Sequence, residues 1–116
     1  MKEHNIIMYK SKAFAIRVIK LYKYLCDNKN EYVLSKQMLR SATSIGANVK
    51  EAQCGQSKKD FIAKMYIAYK EANEAEYWLE LLHESELLED NLFDSLYNDN
   101  HELIKILASI TKSVRQ

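Results

Sequence analysis

Proline is absent from this chain of 116 residues, and glycine occurs only twice, as Gly46 and Gly55. Sheets and loop-rich folds need turn residues at many places, so these scarcities exclude them and predict an all-helical fold with few connections. No apolar run approaches the roughly 20 residues that span a bilayer, which excludes a membrane-spanning segment. The opening MKEHNIIMYKSK lacks the apolar centre of a signal peptide. A soluble, cytoplasmic protein with no membrane partner is therefore expected. Cysteine is equally sparse. Cys26 and Cys54 fall at the ends of two successive helical patterns, at opposite ends of an antiparallel pair, too far apart for a disulfide that needs Cα atoms within about 7 Å. Charge of one sign is also missing, since the formal net charge is only +1, which argues against a protein coated in nucleic acid.

What is present points the same way. Hydrophobic residues make up 47% and charged residues 28%, the composition of an ordered chain, and the length suits one domain over 1–116. Ile7, Phe14, Val18, Leu21 and Leu25 recur at three-four spacing and predict a helix over about 5–26. The polar segment Asp27 to Tyr32 reads as a connection. Leu34, Met38, Ala42, Ile45, Val49 and Ala52 form the inward face of a second helix, 33–54. Its middle, Ser41 to Ala47, is nearly all small, so a neighbour can come close and offset the cost of Gly46, about 1 kcal/mol against alanine. Phe61, Met65, Ala68, Ala72, Ala75, Leu79 and Leu82 keep heptad spacing through a third helix, 58–84. Leu92, Leu96, Leu103, Leu107, Ile110 and Val114 do so through a fourth, 90–114. Its weak turn is Tyr97 to Asn100, where a polar inward position predicts a kink or short break.

The connection between the second and third helices holds the second glycine. Gly55 suits a left-handed residue past a helix end, and Ser57 reads as the next N-cap with Asp60 three residues on. Folding each hairpin about its loop sets Leu21 beside Met38, Phe14 beside Ile45, Leu79 beside Leu96, Ala72 beside Leu103 and Met65 beside Ile110. Inward residues meet inward residues, so the prediction is an antiparallel up-down-up-down four-helix bundle. The third helix bears a second stripe, Ile62, Tyr66, Tyr69, Tyr77 and Leu81 with Trp78 beside it. One helix of a monomeric bundle needs one buried face, so the extra aromatic face is a candidate subunit interface, with a wide core face and partly exposed tyrosines as the plainer reading.

RSATSIGANVKEAQ (Arg40 to Gln53), SKKDF (Ser57 to Phe61) and IAYKEANEAEYWLELL (Ile67 to Leu82) together resemble the four helix bundle protein family first noticed in intervening sequences of bacterial 23S ribosomal RNA genes. The likeness is close over the second and third helices and only one of pattern in the first and fourth. It implies a small homopentameric bundle. Relatives include the accessory proteins of diversity-generating retroelements, which bind nucleic acid and a reverse transcriptase. Where the family often has Asn-Ile-x-Glu-Gly, this chain has Asn48, Val49, Lys50, Glu51 and Ala52, so the glycine is replaced while Asn and Glu remain.

Chemistry-bearing constellations are few. Glu80 and His83 have the Glu-x-x-His spacing of di-iron bundles, but such a site needs two of these motifs and two more inward carboxylates. His4 and His101 lack Cys or His partners at metal-ligand spacing. No phosphate-cradling glycine loop, nucleophile motif or acid-base pair is visible, so neither an enzyme, a cofactor nor a metal is expected. Arg40, Asn48, Glu51, Glu71, Asn73 and Glu74 lie on facing helices of the central hairpin. Counting from the turn brings Arg40 within reach of Glu71 or Glu74, so they are read as a polar cluster fixing register or subunit contact, against the alternative of solvated charges.

The small net charge hides an asymmetry: residues 1–70 hold 14 Lys and Arg against 5 Asp and Glu, and residues 71–116 hold 3 against 11. On an up-down bundle, Lys10, Lys12, Lys50, Lys58, Lys59, Lys64, Lys112 and Arg115 gather at one end, and Glu80, Glu84, Glu86, Glu89, Asp90 and Asp94 at the other. Lys58 and Lys59 oppose a helix dipole, a local cost that suggests a use. Two functions stay open. One is a homo-oligomeric interaction protein binding RNA, DNA or a nucleic-acid enzyme through the basic pole. The other is a structural or regulatory assembly protein with no nucleic-acid contact.

Overall fold

The protein's computed structural model describes residues 2–115, leaving out the side chains of Glu3, Ser113, Val114 and Arg115. Its helices are α1 (Lys2–Lys29), α2 (Leu34–Gln53), α3 (Lys58–Glu84) and α4 (Asp90–Arg115), and no strand occurs among the described residues. The inward stripes form one core. Ile7, Phe14, Val18, Leu21 and Leu25 of α1 are buried with Met38, Ala42, Ile45, Val49 and Ala52 of α2. From the other hairpin come Met65 to Leu82 of the α3 stripe, then Leu96, Leu103, Leu107 and Ile110 of α4. Leu34, Phe61 and Leu92 close the ends half-buried, and the Val114 side chain lies outside the described residues. Backbone packing joins α1 to α2 and α4, and α3 to α2 and α4, while across the diagonal α1 meets α3 through the rings of His4 and Phe61, 4.8 Å apart. The helices thus stand at the corners of a square, 44 × 20 × 18 Å overall, each antiparallel to its chain neighbour.

The connections differ from expectation in physical detail. Residues 27–29, predicted as loop, continue α1, which stops when Asn30 turns to φ 53°. Asparagine tolerates that left-handed conformation better than most side chains. Glu31 then serves α2 as a remote cap, its carboxylate accepting from the N–H groups of Val33, Leu34 and Ser35 at 3.2, 3.0 and 2.7 Å. Burial raises the Glu31 pKa, but the bonds from Ser35, Leu34 and Val33 outweigh it and hold the carboxyl below its ordinary value.

Ser57 does cap α3, accepting from the Asp60 N–H at 3.1 Å. Gly55, by contrast, has no positive φ, which corrects the predicted left-handed turn. A Cβ there would meet the Ala52 carbonyl at 3.2 Å and the Asp60 and Phe61 atoms at 3.3 Å, so the turn is tight at this position and a side chain would have to displace its neighbours slightly. The left-handed residue falls instead at Glu86, φ 63°, after α3. Its N–H bonds to the His83 carbonyl and that of Leu87 to the Leu82 carbonyl, at 3.0 and 2.9 Å, a Schellman closure built without glycine.

Two further expectations are corrected inside helices. α4 runs unbroken through Tyr97 to Asn100, because Asn100 is fully buried and its amide donates to the Ala72 carbonyl of α3 at 2.9 Å. The polar inward residue is a cross-helix pin rather than a break. At Gly46 the nearest atoms to an added Cβ belong to Ser11 of α1, at 3.6 and 3.7 Å. That is ordinary van der Waals contact, so α1 lies close to α2 without requiring glycine.

Candidate functional site

The central hairpin carries a polar cluster with Glu74 as its hub. Along α3, Glu74 and Trp78 stand four apart and so share a face. Trp78 Nε1 donates to Glu74 Oε1 at 3.1 Å, and the buried Ser41 Oγ of α2 donates to the same oxygen at 3.0 Å. Arg40 Nη2 lies 3.5 Å away with its side chain 62% exposed. The bonds from Trp78 and Ser41 lower the Glu74 pKa against the effect of burial, and the Arg40 charge adds to them. Glu71, one turn earlier, is the opposite case. Its Oε1 is buried without a hydrogen-bond partner. Burial, then the Glu74 charge, raises its pKa, although Arg40 and Lys70 pull the other way.

The other members of the predicted cluster do not join it. Asn48 donates to the Ser44 carbonyl at 2.8 Å and Asn73 to the Tyr69 carbonyl at 3.0 Å, each within its own helix. Glu51 pairs across the hairpin with Lys64 at 2.8 Å. Ser41 and Trp78 were missed as partners of Glu74. The four-residue step from Glu74 to Trp78 was legible on the chain, but the depth of Ser41 required the packed hairpin.

At the basic end, Lys12, Lys50, Lys58, Lys59 and Lys112 are exposed around the α2–α3 turn and the flanking helix ends. Two residues predicted for the patch are partly neutralised, Lys64 by Glu51 and Lys10 by Glu102 of α4 at 3.0 Å. The Arg115 side chain lies outside the described residues. Asp60 adds an exposed carboxylate, so the end is basic without being uniformly so. Nor is the opposite end purely acidic, because Lys23 and Lys29 of α1 and Lys36 of α2 share it with the carboxylates of α3 and α4. Charge divides by side as well as by end.

Two opposite sides of the square show this division. Between α1 and α2 runs a groove of about 330 Å³ whose lining includes Ser11, Ala15, Thr43, Gly46 and Ala47, with Lys12 and Lys50 among its walls. Lys12, Ile16, Ile19 and Lys23 lie along α1 at helical spacing, and Lys36, Thr43, Ala47 and Lys50 do so along α2. Neither stripe contains an acid. On the α3–α4 side Phe93, Tyr97 and His101 form a ladder of rings, and Glu76 lies 3.7 Å from His101. The Glu76 charge, with burial, a hydrogen bond from the hydroxyl to Glu76 and the Glu80 charge, raises the Tyr97 pKa. Glu84, Asp90 and Asp94 are exposed beside them.

The predicted aromatic stripe of α3 is divided by the same geometry. Tyr66 and Tyr69 stack at 6.0 Å, and Ile62, Tyr66 and Tyr69 follow the stripe that leads to Glu76 and Glu80. Trp78 stands roughly 120° further round than Tyr66, turned toward α2 by its bond to Glu74. Leu81, three residues on, shares that side. Tyr77 lies between them, 53% exposed, with its ring edge-on to Trp78 at 5.2 Å.

His83 bonds Asp90 at 2.7 Å and stacks on Phe93 at 4.0 Å, so it ties the α3–α4 turn together. Among the described residues no three His, Cys, Asp or Glu side chains come together as a metal site. Cys26 and Cys54 are free thiols, and no helix among the described residues is long and apolar enough to cross a membrane.

Residues 3–109 match the family model described as 23S rRNA-intervening sequence protein. Among solved structures, the chain is similar to a Bacteroides thetaiotaomicron protein of unknown function from the S23 ribosomal protein family. The two are 51% identical with a TM-score of 0.93, over 95% of this chain and 98% of that one. No curated protein matches the chain.

Proposed function

The chain belongs to the 23S rRNA-intervening sequence protein family, and from that premise we propose that it is a non-enzymatic, homo-oligomeric interaction protein of the cytoplasm, a ring of five copies that binds nucleic acid or a nucleic-acid enzyme through its basic end. The observation that carries this reading is the group of exposed lysines at that end, Lys12, Lys50, Lys58, Lys59 and Lys112, two of which begin a helix whose dipole disfavours them. A ring repeats the patch once per copy. Repetition raises avidity for a phosphate backbone without any group that reads bases, so binding is weakly sequence-specific and steeply salt-dependent. The family description names ribosomal RNA, which makes RNA the first ligand to test. Self-association is supported by the exposed Tyr66 and Tyr77 and the adjoining Tyr69 and Ile62, aromatic and apolar groups of the kind enriched at interfaces.

The experiment is a titration of RNA and DNA fragments at about 50 and about 200 mM salt. Retention at the lower salt that is lost at the higher salt, and lost in Lys58→Glu/Lys59→Glu, supports the reading. No retention at the lower salt, or binding unchanged in the double variant, overturns this patch as the site. The ion pairs that partly neutralise Lys10 and Lys64 favour the rival, a structural or regulatory assembly protein with no nucleic-acid contact, and the same titration decides between them.

A further inference from the structure

We propose that copies of this protein associate side by side and head to tail, the lysine-edged α1–α2 groove of one copy receiving the Tyr66–Tyr69 stack and the carboxylates of the α3–α4 side of the next. This deepens the homo-oligomer reading above and rests on it, since it names the two surfaces that meet.

The heights of the groups along the bundle carry the inference. The pairs Glu51–Lys64 and Ser41–Glu74 set the register of α2 against α3, which brings Tyr69 level with Gly46 and Tyr66 close to Val49. The groove floor occupies that same height, because Gly46 lies against Ser11 of α1. Further along, the same register puts Glu80 at the level of Lys36 and Glu84 beyond it at the level of Glu31, and the bond from Asn100 to Ala72 brings Asp90 and Asp94 of α4 close to the level of Lys36 too. Lys23 of α1 stands there as well by the Ser11–Gly46 register. A second copy set alongside at equal height therefore meets the groove with its tyrosine pair and the lysines with its carboxylates. The two matches come from different residues and need the same placement.

The chemistry of each side fits the other. The groove, about 330 Å³ and floored by small side chains, suits flat rings, and Tyr66 is 42% exposed. Ile16 and Ile19, 47% and 38% exposed on the α1 stripe, supply apolar surface next to it. The α1–α2 stripes carry lysines and no acid, so two α1–α2 sides repel and the groove takes a different surface of the next copy, a heterologous contact rather than a two-fold one.

The test uses two charge-reversed chains: Lys23→Glu/Lys36→Glu, and Glu80→Lys/Glu84→Lys. Each alone should fall from the oligomer mass to the 13.6 kDa of one chain by light scattering, with the helical signal retained. A one-to-one mixture should re-associate to masses well above one chain, because each reversed groove side matches the reversed α3–α4 side of the other variant; strict alternation leaves one mismatched contact in a ring of five, so the mixed species need not reproduce the wild-type mass. Ala47→Trp, placed in the groove and outside the core, should also dissociate the assembly. If the wild-type protein is a 13.6 kDa monomer, the homo-oligomer reading fails and this contact with it. If the wild type is oligomeric and both reversed chains keep its mass, or the mixture stays monomeric, this contact is wrong while the homo-oligomer reading stands.

Discussion

Replacing Glu74 should destabilise the bundle far more than replacing Arg40, although the two form an ion pair. The carboxylate accepts from Ser41, which is fully buried, and from the half-buried Trp78. Removing it leaves both donors without that acceptor, and an orphaned buried group costs about 1–3 kcal/mol. The Trp78 N–H can turn partly to water, so Glu74→Ala should cost about 2–3 kcal/mol in all. Arg40, 62% exposed and at 3.5 Å, belongs to the class of solvated pairs worth about 0–1 kcal/mol, and Arg40→Met should fall there. Urea unfolding followed by the helical signal measures both, with a double-mutant cycle to isolate each pair. The Ser41–Glu74 coupling should exceed the Arg40–Glu74 coupling. The depressed Glu74 pKa fixes the acid behaviour: its stabilisation is complete above the unfolded carboxylate value of about 4.3 and is lost as pH falls through the folded value. Equal losses for Glu74→Ala and Arg40→Met at neutral pH would refute this assignment of the hub.

The raised pKa of Glu71 gives the opposite sign. Its ionised form is disfavoured in the fold, so Glu71→Gln should raise the urea midpoint at pH above the folded value, with the gain vanishing below about 4.3, where both states hold the proton. A gain that persists unchanged in acid would show another cause. Gly46→Ala should stabilise by about 0.5–1 kcal/mol in thermal or urea unfolding, since a methyl group meets Ser11 at ordinary contact distance and helix propensity favours alanine. A loss of stability there would mean that Ser11 crowds the added methyl more closely than the 3.6 Å separation allows.

The inward stripes and hairpin registers were legible because they depend on spacing along single helices and on short turns. Leu21 beside Met38 needs only a count outward from one loop. The errors fall where a residue type has more than one physical use. Asn100 reads as a weak turn because a polar side chain at an inward position has no partner visible on its own helix; its partner is the Ala72 carbonyl, 28 positions away. Gly55 reads as a left-handed cap because that is the commonest use of glycine after a helix, whereas crowding by Ala52, Asp60 and Phe61 depends on how sharply the chain turns.

Charge was the hardest feature to place. A count along the chain assigns each residue to an end of the bundle, because helix direction alternates, but it assigns no residue to a side. The pairs Arg17–Asp99 at 2.6 Å and Lys10–Glu102 at 3.0 Å join α1 to α4, the one seam of the square with no hairpin from which to count. Once that seam closes, these cations face carboxylates on α4, while Lys12 and Lys23 remain on the α1 stripe beside α2. The basic half of the sequence thus becomes a basic side as well as a basic end. These surfaces offer different contacts: the end presents lysines around turns and helix termini, whereas the side presents them along a groove at heights matched by carboxylates on the opposite side. Nucleic-acid binding at the end and self-association at the sides share Lys12 and Lys50, which wall the groove, and otherwise draw on separate lysines. Lys58→Glu/Lys59→Glu should remove the first while leaving the oligomer mass intact, and Lys23→Glu/Lys36→Glu should remove the oligomer directly and lower nucleic-acid affinity only through lost avidity.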